Sequence, residues 1–217
     1  AEQLKNPDAR VTEKPATRMT LLALYGAAYV GILNGDSHRF IRSHWEVMGS
    51  PDWRGLQSTV ERTIDYGGRE KIIYWQNGEG DLRRLAEELQ ERLHDADRRG
   101  NQAWGGLGVA VSQMGNLAAT MYSGDLFDSN ATVITLRERS NLPALWCFCS
   151  CSSFACEVRR IDQKVNVTNA TVSKVPFDLV HWQKVAAEKY PNGLPEPESD
   201  DPTQWLFHGW PGESTAP

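Results

Sequence analysis

The run from Asn141 to Trp182, NLPALWCFCSCSSFACEVRRIDQKVNVTNATVSKVPFDLVHW, constrains the fold more than any other part of the chain. Leu142-Pro143 opens a helical pattern in which Ala144, Leu145, Phe148 and Cys149 fall on one face, and Ser152-Ser153 interrupts it. A second short helix is expected over Phe154 to Asp162. Beyond it the β-branched stretch Val165 to Val175 reads as an extended segment that Pro176 ends. A further short helix starts at Asp178, with Trp182, Val185, Ala186 and Lys189 on one face, and stops at Tyr190-Pro191-Asn192-Gly193.

The rest of the chain is less regular. Ala1 to Thr17 is polar, with Pro7 and Pro15, and reads as a linker from something upstream. Leu21 to Ile32 is apolar and fits a buried strand or a short helix, and Gly31 to Asp36 supplies a turn. His38 to Trp75 interleaves aromatic residues with cations, a mixture that suits a nucleic-acid surface and equally a core with solvated arginines. Lys71 to Trp75 reads as a strand ended by Asn77-Gly78. Asp81 to Gly100 gives the clearest helical stripe, Leu82, Leu85, Ala86, Leu89, Leu93 and Ala96, with Asp81 as N-cap and Arg98-Arg99-Gly100 as a cationic last turn and C-cap. Thr120 to Leu136 reads as a hairpin around Phe127.

Charge and cysteine placement narrow the function classes. The net charge of −5 belongs to the tail: from Pro191 onward there is no Lys or Arg, and Glu196, Glu198, Asp200, Asp201 and Glu213 leave residues 1–190 neutral. A neutral body holds DNA weakly by itself, because affinity follows the phosphates neutralised. Cys147, Cys149, Cys151 and Cys156 share one short stretch, unlike a secreted disulfide framework, and lack the paired knuckles of a structural zinc site, so they read as buried small apolar thiols. No apolar run reaches membrane-spanning length, and a cytoplasmic location is the default expectation. The sequons at Asn130, Asn166 and Asn169 read as Asn/Thr-rich strand ends.

The string Leu142, Pro143, Trp146, Ser152, Phe154, Val158, Arg159, Ile161, Asp162, Val167 to Thr171 and Lys174 to Asp178 resembles the carboxyl-terminal part of the target-recognition domain in large adenine-specific DNA methyltransferases of restriction-modification and BREX-type phage-defence systems. Further matches lie in GILNGDSHRFIRSHWEV, YGGREKIIYW, AWGGLGVAVSQM and TMYSGDLFDSNATVI, so the likeness runs from about Leu22 to Trp210. Asn34 stands where the family has Thr, a mild departure because Asn tolerates tight turns. The resemblance implies double-stranded DNA and an upstream methyltransferase domain of the same polypeptide as partners, with S-adenosyl-L-methionine bound in that parent enzyme and no cofactor in this chain.

The residues themselves carry no catalytic apparatus for methyl transfer. The Asn/Asp-Pro-Pro-aromatic tetrapeptide is missing, and Gly105-Gly106-Leu107-Gly108 precedes a strand where a cofactor loop would follow one and open a helix. This chain alone is therefore expected to be inactive. The five histidines have no ligand spacing. Candidates for DNA contact must be polar or cationic and loop-placed, which selects Arg62, Arg69, Asn101, Gln102, Ser112 and Gln113. The competing readings are a protein-protein interaction or scaffold domain and, more weakly, a cysteine-metal or redox protein. The expected fold is α+β: a curved, mainly antiparallel sheet from about Leu22 to Val175, flanked by helices at Asp81 to Gly100 and Asn141 to Asp162. Residues 1–20 are expected as linker, 21–181 as the recognition domain and 182–217 as a docking helix and extended tail, whose Trp205, Leu206, Phe207 and Trp210 need a surface to cover.

Overall fold

The computed structural model of the chain describes residues 20–47, 49–93 and 95–196. The expectations for residues 1–19 and for the hydrophobic residues of the tail lie outside them. In chain order the elements are β1 (Gly26–Val30), α1 (Ser37–Phe40), β2 (Ile41–Ser43), β3 (Trp53–Gln57), β4 (Lys71–Tyr74), α2 (Asp81–Glu88) and α3 (Gln90–Leu93). They continue with β5 (Gly108–Ser112), β6 (Ala119–Tyr122), β7 (Leu126–Phe127), β8 (Ala131–Leu136), α4 (Leu142–Cys149), α5 (Ser152–Ile161), α6 (Asn169–Val172) and α7 (Leu179–Lys189).

The α+β class and the mainly antiparallel pairing hold, but the strands divide into two sheets. The first has the order β1-β8-β5-β6 and is antiparallel throughout. Its strands are β-branched or small at nearly every position, and β5 and β6 are buried along their whole length. Alternation sorts their side chains between two cores. Val109, Val111, Met121 and Ile134 join Leu145, Phe148, Phe154, Val158 and Phe177 on the helical side. Ala110, Tyr122 and Val133 join Phe127 and Ala103 on the other. Helix α4 is buried almost all round, as its uniformly apolar sequence requires, and packs between β5 and α7. Phe148 is its hub, with ring centroids 5.2 Å from Phe154, 5.1 Å from Phe177 and 5.4 Å from Trp182.

The second sheet has the order β2-β4-β3-β7, antiparallel except for the parallel pair β3 and β7. Its core is Ile32, Phe40, Leu56, Ile73, Leu82 and Leu126. Strand β7 joins the two sheets: between β6 and β8 the chain leaves the first sheet for two residues, pairs Leu56 with Leu126 and Gln57 with Phe127, and returns. Leu126 enters the core of the second sheet while Phe127, fully buried, enters the core beneath the first. The junction is backbone-tight. A Cβ on Gly31 would stand 2.2 Å from the Phe127 carbonyl oxygen, and one on Gly100, at φ +76°, 2.3 Å from the Phe127 ring.

Several sequence expectations need correction. Val165 to Val175 is not extended: Thr168 caps α6 by accepting from the Thr171 amide, and this local bond outweighs the β-branched composition. The Asp81 stripe is not one helix to Gly100. Helix α2 is capped by Gly80 rather than Asp81 and ends at Leu89, and Asp95 lies in the left-handed region. The break lets Asp95 and Asp97 reach back to Arg83 at 2.8 and 3.2 Å, whereas a straight helix would hold Asp95 roughly 18 Å further along the axis. Thr120 to Leu136 is not a hairpin either, because β5 lies between β6 and β8 and the intervening segment belongs to the other sheet. Replacing Phe127 by alanine should cost about 3–5 kcal/mol, read as a lower urea midpoint with an unchanged denaturant slope. A loss below about 1 kcal/mol would show that the two sheets hold together without that ring.

Candidate nucleic-acid interface

Two open polar clefts border the segment that follows β1. The larger, about 710 Å³, is lined by Asn34, His38, Arg42, Lys71, Ser129 and Asn130 among others. The smaller, about 590 Å³, draws on residues far apart in sequence: Tyr29 from β1, Arg83 from α2, Arg98, Arg99, Asn101 and Gln102 from the turn after α3, and Asn169 from α6. That turn is set by Gly100, whose positive φ starts a single 3-10 turn, Asn101–Ala103. Asn169 donates its side-chain amide to the Ala28 carbonyl at 3.0 Å, which fixes α6 against the outer edge of β1.

Of the candidates selected from sequence, Asn101 and Gln102 are exposed and come together in the smaller cleft. Arg62 is exposed on the loop between β3 and β4 and lines neither cleft. Arg69 is paired with Asp125 at 3.1 Å. Ser112 and Gln113 are buried, and their side chains serve the protein's own backbone. Ser112 donates to the Val60 carbonyl at 3.1 Å, and the Gln113 amide stands 3.4 Å from the Ala131 carbonyl and 3.3 Å from the Thr132 hydroxyl. Sequence reasoning missed Arg83, Arg98, Arg99 and Asn169 in the smaller cleft and Asn34, Arg42, Lys71 and Asn130 in the larger. The Arg98-Arg99-Gly100 triplet carries a readable signal, since a double arginine before a glycine turn is as consistent with an exposed cationic loop as with a helix end.

Electrostatics in the smaller cleft are nearly self-compensated. Arg83 bonds Glu87 and Asp95, each at 2.8 Å, and Asp97 at 3.2 Å; the bond to Asp95 leads the causes that raise the guanidinium pKa. Arg98 reaches Glu79 at 2.9 Å and the Gly78 carbonyl at 3.0 Å. Arg99 has no ion-pair partner among the described residues. Asp97 is fully buried, and its Oδ2 accepts no hydrogen bond. Burial pushes its carboxyl above the ordinary range, and Arg83 and Arg98 counter part of that shift.

Among the described residues no group of three or more His, Cys, Asp or Glu is arranged to hold a metal ion. Cys147 and Cys149 are buried and Cys156 is exposed; burial raises the thiol pKa of both buried residues, which is the inert condition for a cysteine. In the glycine-rich run Gly108 opens β5, and a Cβ there would stand 2.2 Å from the Ile134 carbonyl oxygen, so that glycine serves strand approach. No helix among the described residues is long and apolar enough to cross a membrane.

No protein-family model matches the chain, and no curated protein matches it in sequence. Among solved structures, an HsdS subunit from Thermoanaerobacter tengcongensis aligns with a TM-score of 0.39 at 12% identity, over 94% of this chain and 47% of that one. The chain thus spans about half the length of that protein.

The proton on Asp97 gives a test of the network. The folded state holds it more tightly than the unfolded chain, so stability is greatest below the ordinary carboxylate pKa and falls as pH rises toward the folded value. Asp97→Asn leaves Arg83 with Glu87 and Asp95, and its Tm relative to the parent should improve as pH rises from the ordinary carboxylate pKa to the raised folded value and level off above it. A difference that stays constant or moves the other way would show that the pairing with Arg83 outweighs burial.

Proposed function

We propose that the chain is the sequence-recognition domain of an adenine-N6 DNA methyltransferase of a restriction-modification or phage-defence system, a group that includes the BREX-type enzymes. It binds duplex DNA beside a methyltransferase domain of the same polypeptide. The observation that carries this reading is a convergence: Asn169, inside the string Val167 to Thr171 that bears the family resemblance, borders the same cleft as Arg99, Asn101 and Gln102. Guanidinium and carboxamide groups are the side chains that pair with phosphates, guanine edges and adenine edges. Asn169 is held against β1 by its bond to the Ala28 carbonyl, and Gly100 sets the turn that carries Asn101 and Gln102, which gives the groups the fixed support that a reading surface needs.

In this reading the chain contributes recognition and no chemistry. The methyl donor, S-adenosyl-L-methionine, belongs to the parent enzyme's other domain, and the chain's own part is to hold the duplex in register. The neutral body of residues 1–190 sets the strength of the isolated chain's binding. Duplex affinity should be in the micromolar range or weaker and should fall steeply as salt rises, as measured by fluorescence anisotropy. Arg99→Ala should weaken it about uniformly across sequences and reduce the salt slope by about one. Purified chain supplied with S-adenosyl-L-methionine should transfer no methyl group to adenine. Binding that ignores salt would favour a protein-docking scaffold, and methyl transfer by the isolated chain would refute the division of labour.

A further inference from the structure

We infer that the Met114 and Val165 side chains form an apolar wedge that enters the bound duplex and parts a base step beside the smaller cleft. This rests on the DNA-recognition reading and adds to it a second contact, made by different loops.

Placement carries the inference. Thr132 of β8 pairs with Val30 on one side and Val111 on the other, so β1 and β5 end level, two strand spacings or roughly 10 Å apart. Val30 lines the smaller cleft, and the turn after β5 leaves the sheet at that same end. Gln113 in this turn donates its amide to the Asn130 carbonyl at 3.0 Å and accepts from the Val167 amide at 2.8 Å. The turn is thereby tied both to the start of β8 and to the segment that leads into α6 and Asn169.

Met114 and Val165 are the exposed large apolar residues of these two loops, at 50% and 78%. The Arg159 guanidinium holds the loops together. One of its nitrogens donates to the Gly115 carbonyl at 3.1 Å and the Val165 carbonyl at 3.4 Å, and another donates to the Lys164 carbonyl. On the other flank the Asn116 carboxamide donates to the Glu61 carbonyl at 3.3 Å, which brings the exposed Arg62 to the same end. A Cβ added at Gly115 would meet nothing within 4 Å, so the apex of the turn is open.

Two fixed apolar side chains suit a base stack better than a protein partner. A stable protein interface covers roughly 800 Å² on each side, far more than two side chains offer. Minor-groove proteins part base steps with small apolar wedges, methionine among them, and use basic and carboxamide groups beside the wedge. Arg62, Arg159 and Lys164 supply the basic groups, against the carboxylates of Glu61 and Asp162. Asp162 accepts from the Lys164 amide at 3.0 Å and the Thr171 hydroxyl at 3.1 Å.

The test uses the whole chain at low salt and a short duplex with 2-aminopurine at alternate adenine positions, a base whose fluorescence rises on unstacking. Saturating chain should raise that fluorescence about twofold. Met114→Ala combined with Val165→Ala should remove the rise, while anisotropy shows duplex affinity within about threefold of the parent. Met114→Leu should keep the rise, and Arg99→Ala should need more protein to reach the same plateau. Circular dichroism would verify that these surface variants fold. A parent that binds without unstacking any base would overturn the wedge, leave duplex recognition standing and return the apolar pair to a protein partner. A full rise in the double variant, or loss of all binding in it while folded, would equally overturn the wedge. No salt-dependent binding to the duplex by the parent would overturn both readings.

Discussion

The parallel pairing of Leu126 and Phe127 with Leu56 and Gln57 is the contact on which the rest of the architecture depends. Two residues are a very short strand, and alone they would contribute little. Their effect comes from what converges there. Ile32 donates its amide to the Phe127 carbonyl at 2.7 Å, Asp128 donates its amide to Gln57 at 3.0 Å, and the Ser58 hydroxyl bonds the Asp128 carboxylate. Gln57 is itself fully buried, and its amide nitrogen bridges the Ser58 and Gly67 carbonyls at 2.9 and 2.7 Å. Gln57 Oε1 accepts no hydrogen bond, but the bonds made by its amide nitrogen and by Ser58 and Asp128 specify one arrangement, because sliding either sheet would strand several of those groups without partners. Both clefts border residues that this junction fixes, so the candidate interface inherits its rigidity.

Elements that announce themselves locally were legible in the sequence. Helices α4 and α7 and strand β4 carry their own periodicity and their own stops, and Asp178 caps α7 as its position before the apolar stripe suggests. What was not legible depends on partners distant in the chain. Nothing near Arg83 reveals that Asp95 and Asp97 will fold back onto it, and nothing near Thr120 reveals that β5 will separate β6 from β8. The same distinction governs the site. Asn101 and Gln102 could be chosen because a polar pair after a glycine reads as an exposed turn. Ser112 and Gln113 have the same look, but β5 is central and fully buried, so its end meets the loop carrying Val60 instead of solvent. Arg69 was hidden for a similar reason, since its partner Asp125 lies beyond three strands and two helices in the chain.

Charge in this protein is arranged by commitment more than by amount. The body of the chain is neutral, and many of its arginines are paired or bound to carbonyls, as with Arg39 to Asp81, Arg84 to Asp81 and Arg160 to Glu157. Exposed pairs of this kind add little stability. They do remove cations from the pool available to a ligand. Arg99 in one cleft and Lys71 in the other have no ion-pair partner among the described residues, so each sets a local field without large net charge.

The loop between β3 and β4 lies along the outer edge of β6. The Ile64 amide donates to Ala119 at 3.1 Å, the Met121 amide donates to Asp65 at 2.9 Å, and the Thr63 hydroxyl accepts from the Ala119 amide. An edge strand so covered cannot recruit a second chain, which guards against self-assembly. It also divides the surface by its tolerance for change. The turn between β5 and β6 is open at Gly115, where an added Cβ would meet nothing within 4 Å, and can lengthen there, although the φ of +64° keeps glycine favoured at that position. The stretch around Ile64 cannot, because each inserted residue would shift the bonds that seal the edge. The two loops thus differ in what they can absorb, with open space at one and a sealed sheet edge at the other.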